Sequence, residues 1–148
     1  MATGDRKDPF RGFKFRVEID GIQRAGFREA SGLDASQDPI DYREGDDKTM
    51  TIRKLPGLKK FSNIVLKRGI TDDMDMWKWR KLVEEGKVAE ARKNGSIVLF
   101  SHEGKEIARW DFVNAWPSKI NGPSVNATSN EVAIEELELA HEGYERVK

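Results

Sequence analysis

Polar and apolar residues alternate through FKFRVEID: Phe13, Phe15, Val17 and Ile19 share one side, and Lys14, Arg16, Glu18 and Asp20 the other. A period of two predicts a strand with one buried face, because successive side chains leave a pleated backbone in opposite directions. Asp20-Gly21 then predicts a tight turn before Ile22. AGFREASGLDAS reads as a weaker strand in which Gly26 and Gly32 mark bends or close backbone approach, and PIDYREGDD as a short strand ending in a loop at Gly45. TMTIRK and SNIVLKRGI alternate again, through Met50 and Ile52 and through Ile64, Leu66 and Ile70. Between them, the Pro-Gly pair of Leu55-Pro56-Gly57-Leu58 predicts a type II turn at the apex of a projecting loop.

TDDMDMWKWRKLVEEG is the one convincing helix in the pattern. Thr71, Asp72 or Asp73 can cap its start, and Gly86 is the predicted stop. Met76, Trp79 and Val83 form a stripe widened by Trp77 and Leu82, read as core packing rather than cofactor contact. SIVLFSHEGKEIARWDFVNAW predicts a hairpin turning at Glu103-Gly104, with Trp110 and Phe112 on one face and Arg109 and Asp111 on the other. PSKINGPSVNATSN is a polar loop. In EVAIEELELAHEGYERV the apolar phase shifts between Val132/Ile134 and Leu137/Leu139. A helix or a bulge at Glu135-Glu136 accounts for the shift, and the Glu-Leu-Glu-Leu alternation favours the bulged strand. The chain therefore reads as mostly β with one helix and no internal repeat.

Composition narrows this picture. A chain of 148 residues is read as one domain (13–148) behind a polar, flexible N-terminal arm (1–12). The absence of cysteine excludes disulfides and thiolate metal sites. No apolar run suggests a signal peptide or a membrane span, so the expectation is synthesis in the cytoplasm, with release on lysis still open. The 26 basic and 26 acidic residues balance overall but not locally. Asp34, Asp38, Asp41, Glu44, Asp46 and Asp47 stand against Arg43 alone. Arg53, Lys54, Lys59, Lys60, Lys67 and Arg68 follow, and the C-terminal segment is acidic again. Such blocks can pair within one subunit, or lie on different surfaces and set the register between subunits.

Candidate chemistry adds little. His102 and His141 each stand alone, and neither makes a metal-ligand spacing. Nothing resembles a nucleophile elbow or a phosphate-binding loop, and no carboxylate pair stands out for acid-base work. An enzyme is not expected, nor is a cofactor or a metal. The basic run could contact phosphates with Phe61 stacking on a base, but an apolar tip at Leu55 and Leu58 suits that poorly, and zero net charge gives little long-range attraction.

The ordered blocks DPFRGFKFRVEIDGI, GFREASGL, YREGDD, RKLPGLKKFSNIVLKRGIT and WKW make the sequence similar to the tube proteins of contractile phage tails, most of all to inner tube proteins of extracellular contractile injection systems, from about Asp8 to the C-terminus. The resemblance implies a β-sandwich or partial barrel of antiparallel strands with one α-helix. It implies hexameric rings joined into a continuous β-barrel and stacked head to tail into a rigid tube. The implied partners are a contractile sheath, a baseplate with its spike and a cap. The tube would pierce a target envelope and convey protein effectors, or DNA in a true phage; an isolated nucleic-acid or partner-binding adaptor is the alternative of another class. On this reading Arg43, Glu44, Asp46, Asp47, Arg53, Lys54, Leu55, Pro56, Leu58, Lys59 and Lys60 form a projecting contact between subunits, with Leu55 and Leu58 as apolar anchors. By the same analogy two hairpins, Ile22–Glu44 and Ile97–Asn114, line the lumen, with Arg28, Asp41, Arg109 and Asp111 as candidates to face it.

Overall fold

The computed structural model describes residues 14–22, 26–43, 45, 52–128 and 132–148. The first alternation forms β1 (Phe15–Ile19), with Val17 and Ile19 buried, and the chain turns at Gly21, whose φ is +74°. β2 (Glu29–Ser31), β3 (Ala35–Tyr42), β4 (Arg53–Phe61) and β5 (Ile64–Gly69) follow. Then come α1 (Asp75–Glu84), α2 (Val88–Ala91), β6 (Lys93–Phe100), β7 (Glu106–Asn121), β8 (Ile134–Ala140) and β9 (Tyr144–Arg146). Strands β1-β6-β7-β8-β5-β2 pair antiparallel in that order, β9 joins β7, and among the described residues β3 and β4 pair only with each other.

The 16-residue β7 belongs to two layers at once. Its first part pairs with β6 and β9, and its last part, from Trp116 on and through a register shift between Pro117 and Lys119, pairs with β8. Val17, Ile19, Ile97 and Phe112 come from one layer and Ile64, Leu66, Leu137 and Leu139 from the other, and they meet in one core. Helix α1 adds Met76 and Trp79, as its stripe predicts, and the Trp79 indole donates to the Ala91 carbonyl, which fixes α2 beside it. Gly32, at φ +93°, permits a close approach: a side chain there would meet the Asn63 carbonyl oxygen at 2.0 Å. The end of α1 is a glycine stop, with Gly86 at φ +79°, its N–H donating to Val83 and that of Lys87 to Leu82.

Several expectations are corrected. Leu55–Leu58 is not a turn: it lies inside β4, held extended by pairing with β3. Ile22–Glu44 is not a hairpin, since β2 pairs with β5 and β3 with β4, whereas the β6–β7 hairpin is formed, with Gly104 at φ +84°. There is a second, short helix, α2; α1 runs from Asp75 with Met74 at its N-cap position, and of the three capping candidates it is Asp73 whose carboxylate accepts the Asp75 N–H. The arm before Phe13, with Phe13, Met50, Glu44, Asp46 and Asp47, lies outside the described residues.

The C-terminal strand contains no bulge at Glu135-Glu136. The register between β5 and β8 runs unbroken from Ile64↔Leu139 to Gly69↔Ile134, and the buried positions of β8 are Glu135, Leu137 and Leu139. The apparent phase shift is a charge placed in the apolar phase. Opposite Glu135 stands Arg68, in the same phase as Ile64 and Leu66, and both charged residues are only 2% exposed. Arg68 Nε donates to Glu135 Oε1 at 2.6 Å, its terminal nitrogens reach Asp73, and the Trp77 indole donates to Glu135 Oε2 at 3.0 Å. Asp73 Oδ1 in turn accepts the first helical N–H, that of Asp75, at 2.9 Å. This bond, followed by the Arg68 guanidinium, holds the Asp73 carboxyl below its ordinary range against the opposing effect of burial.

Removing one partner of a buried ion pair strands the other charge, at a cost of about 3–5 kcal/mol, while replacing both with apolar groups of similar volume is often neutral or better. Glu135→Ala is therefore expected to lower the urea midpoint sharply, and Arg68→Met with Glu135→Leu to restore most of it. A double variant as unstable as the single one would contradict this account. Because the Asp73 carboxyl is depressed in the fold, its contribution is present above the ordinary aspartate range and is lost as pH falls through its folded value. Asp73→Ala should thus unfold earlier than the parent at neutral pH, with the gap narrowing on acidification in thermal melts read at both pH values.

Candidate functional site

Strands β3 and β4 form a two-stranded ribbon standing off the sandwich. All eight residues of β3 are exposed, and in β4 only Gly57 and Phe61 are half-buried. A ribbon of two strands is marginal by itself in water, so its base must be held. Phe61 packs edge-on to Tyr144 with ring centroids 5.5 Å apart and lies beside His141. The Tyr144 hydroxyl donates to the Leu33 carbonyl at 2.8 Å. His141 Nε2 lies 2.8 Å from the Ser62 carbonyl oxygen while its Nδ1 accepts the Gly143 N–H, so the ring carries its proton on Nε2. The turn between β8 and β9 thus clamps both strands where they leave the body.

The ribbon's register decides what it presents. Ile40 faces Leu55, Asp41 faces Lys54 and Tyr42 faces Arg53; nearer the base Ser36 faces Lys60 and Gln37 faces Lys59. Between these two runs the register shifts, and Gly57 and Leu58 together oppose the single Asp38. The extra residue sets Leu58 on the side of Ile40, Tyr42 and Leu55, although Leu55 and Leu58 are three apart in sequence. Gly57 is required at the bulge, since a side chain there would meet the Asp38 carbonyl oxygen at 2.4 Å. The opposite side carries Gln37, Lys59, Asp41, Lys54 and the directly opposed pair Pro39 and Pro56. Leu58 is 81% exposed, and Ile40, Tyr42 and Leu55 are each at least two-fifths exposed. The charge blocks of the sequence meet here within one chain: Lys54 pairs with Asp41 and Lys60 with Asp38, each at 2.6 Å.

The predicted interface residues therefore converge, with Arg43 just beyond β3 and Arg53, Lys54, Leu55, Pro56, Leu58, Lys59 and Lys60 all on β4. Ile40 and Tyr42 join Leu55 and Leu58 in an apolar cluster that shares its side of the ribbon with Arg53 and the Lys60–Asp38 pair; the alternation in PIDYR is legible in sequence, but its meeting with Leu55 is not. The clamp of Phe61, His141 and Tyr144 had no sequence signal, because its members are brought together only by the fold.

The four lumen candidates do not converge. Asp41 lies on the ribbon, and Arg28 just before β2, beside an open cleft of about 340 Å³. Arg109 and Asp111 alone share a face, the side of β1, β6 and β7 away from the core. There the register aligns Arg16, Val98 and Arg109 in one row and Glu18, Ser96 and Asp111 in the next. Arg109 donates to Glu106 at 2.6 Å and lies 3.4 Å from Glu18 and 3.8 Å from Asp111. Arg16 contacts Glu18, and Ser96 donates to Asp111, each at 2.6 Å. The hydrogen bond between Arg109 and Glu106 lowers the Glu106 carboxyl and raises the Arg109 guanidinium relative to their ordinary values. Each arginine of this face is thus answered by carboxylates beside it. Among the described residues no three His, Asp or Glu side chains gather as a metal site.

The sequence matches the family described as T4-like virus tail tube protein gp19 over residues 11–145. No curated protein matches it. Among solved structures it is similar to a chain of the PVC sheath-tube complex in its extended state, an extracellular contractile injection system, with 27% identity over 93% of this chain and 90% of that one and a TM-score of 0.76. It is likewise similar to a chain of the anti-feeding prophage cap, with 27% identity over 98% and 95% of the two chains and a TM-score of 0.80. Hcp1 from Flavobacterium johnsoniae shares the fold at 13% identity, covering 90% of this chain and 94% of that one, with a TM-score of 0.55. The chain belongs to the T4-like tail tube family: it is a mainly β structural tube protein of contractile injection systems and phage tails.

Proposed function

We propose that this chain is the inner tube subunit of an extracellular contractile injection particle, assembled as hexameric rings stacked head to tail. The observation that carries the proposal is the clamped ribbon, which holds a cluster of large apolar side chains, Ile40, Leu55 and the four-fifths exposed Leu58, out from a folded body. Head-to-tail stacking needs two different surfaces on each copy, and a rigid projecting element supplies one of them. The contact comprises the residues from Arg43 to Lys60, with Leu55 and Leu58 as its anchors.

The role is structural rather than enzymatic. The tube docks with a sheath around it, a baseplate and spike at one end and a cap at the other; complexes of those kinds contain the similar chains. The paired-charge face of Arg109 and Asp111 suits the channel wall, because cations already bound by neighbouring carboxylates hold a passing cargo weakly. Protein effectors are the proposed cargo, in keeping with the likeness to injection-system chains at 27% identity. A phage tail conveying DNA is the second reading, favoured by the family's description.

The triple variant Leu55→Ser, Pro56→Ser and Leu58→Ser is expected to keep the parent's circular dichroism and melting behaviour, since none of the three belongs to the core, and to fail to form tubes. Electron microscopy and sizing check both halves. Normal tubes from the variant would overturn the ribbon's role, and a parent that stays monomeric under all assembly conditions would overturn the tube reading itself.

A further inference from the structure

Two Asn-Gly pairs occur in the chain, Asn94-Gly95 and Asn121-Gly122. Such pairs are chemically labile when the backbone can rotate, because glycine leaves its own amide nitrogen unhindered beside the asparagine side chain. The fold treats the two differently. Asn94 lies inside β6, where its carbonyl accepts the Asp20 N–H and its side-chain oxygen accepts the Asn114 N–H, both at 3.0 Å. Gly95 is wedged between strands, so tightly that a side chain would lie 2.5 Å from the Phe112 ring and 2.6 Å from the Glu18 carbonyl oxygen. Asn121 is instead the last residue of β7, and Gly122 lies beyond the strand, exposed, with nothing within 4 Å of the position a side chain would take.

We infer that Asn121 is a site of spontaneous deamidation, a modification of the chain that needs only water. The Gly122 backbone nitrogen, losing its proton, attacks the Asn121 side-chain carbonyl carbon. The new C–N bond closes a succinimide, and the side-chain nitrogen leaves as ammonia. Water then opens either carbonyl of the ring, leaving aspartate or an isoaspartate linked through its β-carbon, with no redox change.

The consequence follows from the register. Asn121 faces Glu136 across β7 and β8, Glu136 faces Lys67 across β8 and β5, and Lys67 faces Glu29 across β5 and β2. Lys67 is already divided between two carboxylates, at 3.8 Å from Glu29 and 4.0 Å from Glu136. Deamidation sets a third carboxylate directly opposite Glu136, and like charges across a strand pair repel. The reaction would therefore loosen the last pairs of β7 with β8, and the isoaspartate form, with an extra backbone carbon, would do so more.

The test is peptide mapping by mass spectrometry of the purified chain aged at mildly alkaline pH, with the urea-unfolded chain as reference. Both pairs should convert at similar rates in urea. In the folded chain Asn121 should convert at a rate within a few-fold of the unfolded one, and Asn94 at least tenfold more slowly. Isoaspartate is identified by enzymatic methylation of the Asn121 peptide. Equal protection of both sites, or faster conversion at Asn94, would overturn the inference. A second arm uses Asn121→Asp, expected to melt below the parent at neutral pH with the difference disappearing once carboxylates are protonated. An unchanged melting temperature at neutral pH would overturn the proposed consequence. Neither arm requires tube assembly, so its failure is separable from that of the tube reading.

Discussion

A guanidinium cannot give up its charge inside a protein, so once Arg68 is placed in the apolar phase of β5 its surroundings must answer it. Glu135 does so from the neighbouring strand and Asp73 from the approach to α1. Glu135 also holds the Trp77 indole, and Asp73 the first amide of the helix, so a network of five bonds built on one buried charge joins β5, β8 and α1. An apolar core alone would accept the helix in several rotations, since Met and Trp pack adaptably. The ion pair admits one. What such a pair adds is specificity of arrangement more than net stability.

That fixed body is what allows the ribbon to be so poorly covered. Its strands leave the sandwich beside Phe61, His141 and Tyr144, and beyond this clamp, among the described residues, β3 pairs with β4 alone. The ion pairs of Lys54 with Asp41 and Lys60 with Asp38 neutralise much of its charge internally. A segment that looks strongly basic in sequence thus presents one side on which apolar residues stand beside Arg53 and the Lys60–Asp38 pair, and another that carries the Lys54–Asp41 pair. Exposed pairs of this kind add little stability; their larger effect is to remove the attraction for phosphate that the bare run of Lys and Arg suggested.

The strands with clean alternation, β1, β5 and the β6–β7 hairpin, were legible in sequence because one buried face imposes a period of two. The helix was legible from its Met76 and Trp79 stripe and from Gly86. What failed did so for identifiable reasons. Pro56-Gly57 has the chemistry of a turn, but the long-range register with β3 keeps it extended and turns its irregularity into a bulge. Glu135 disguised a regular strand as a bulged one, because a buried acid is readable only when its partner, 67 residues away, is known. The paired-charge face of Arg109 and Asp111 was half legible: alternation put both on one side, while Arg16, Glu18 and Glu106 joined them only through the register.

Pro39 and Pro56 stand directly opposite each other in the ribbon. Neither has an N–H, so their pairing is tolerated only where backbone donors point away from the partner strand, towards the ribbon's two outer edges. Both edges therefore lack a donor at the same level, and a further strand cannot pair along either without a gap. A projecting ribbon with open edges would recruit strands indiscriminately. With its edges interrupted, its side-chain face is the better surface for association, and there the bulge at Gly57 brings Leu58 into line with Leu55, Ile40 and Tyr42. Two prolines and a glycine, residues that read locally as strand breakers, thus interrupt the ribbon's edges and align its exposed apolar side chains, which suits the face-on contact proposed between subunits.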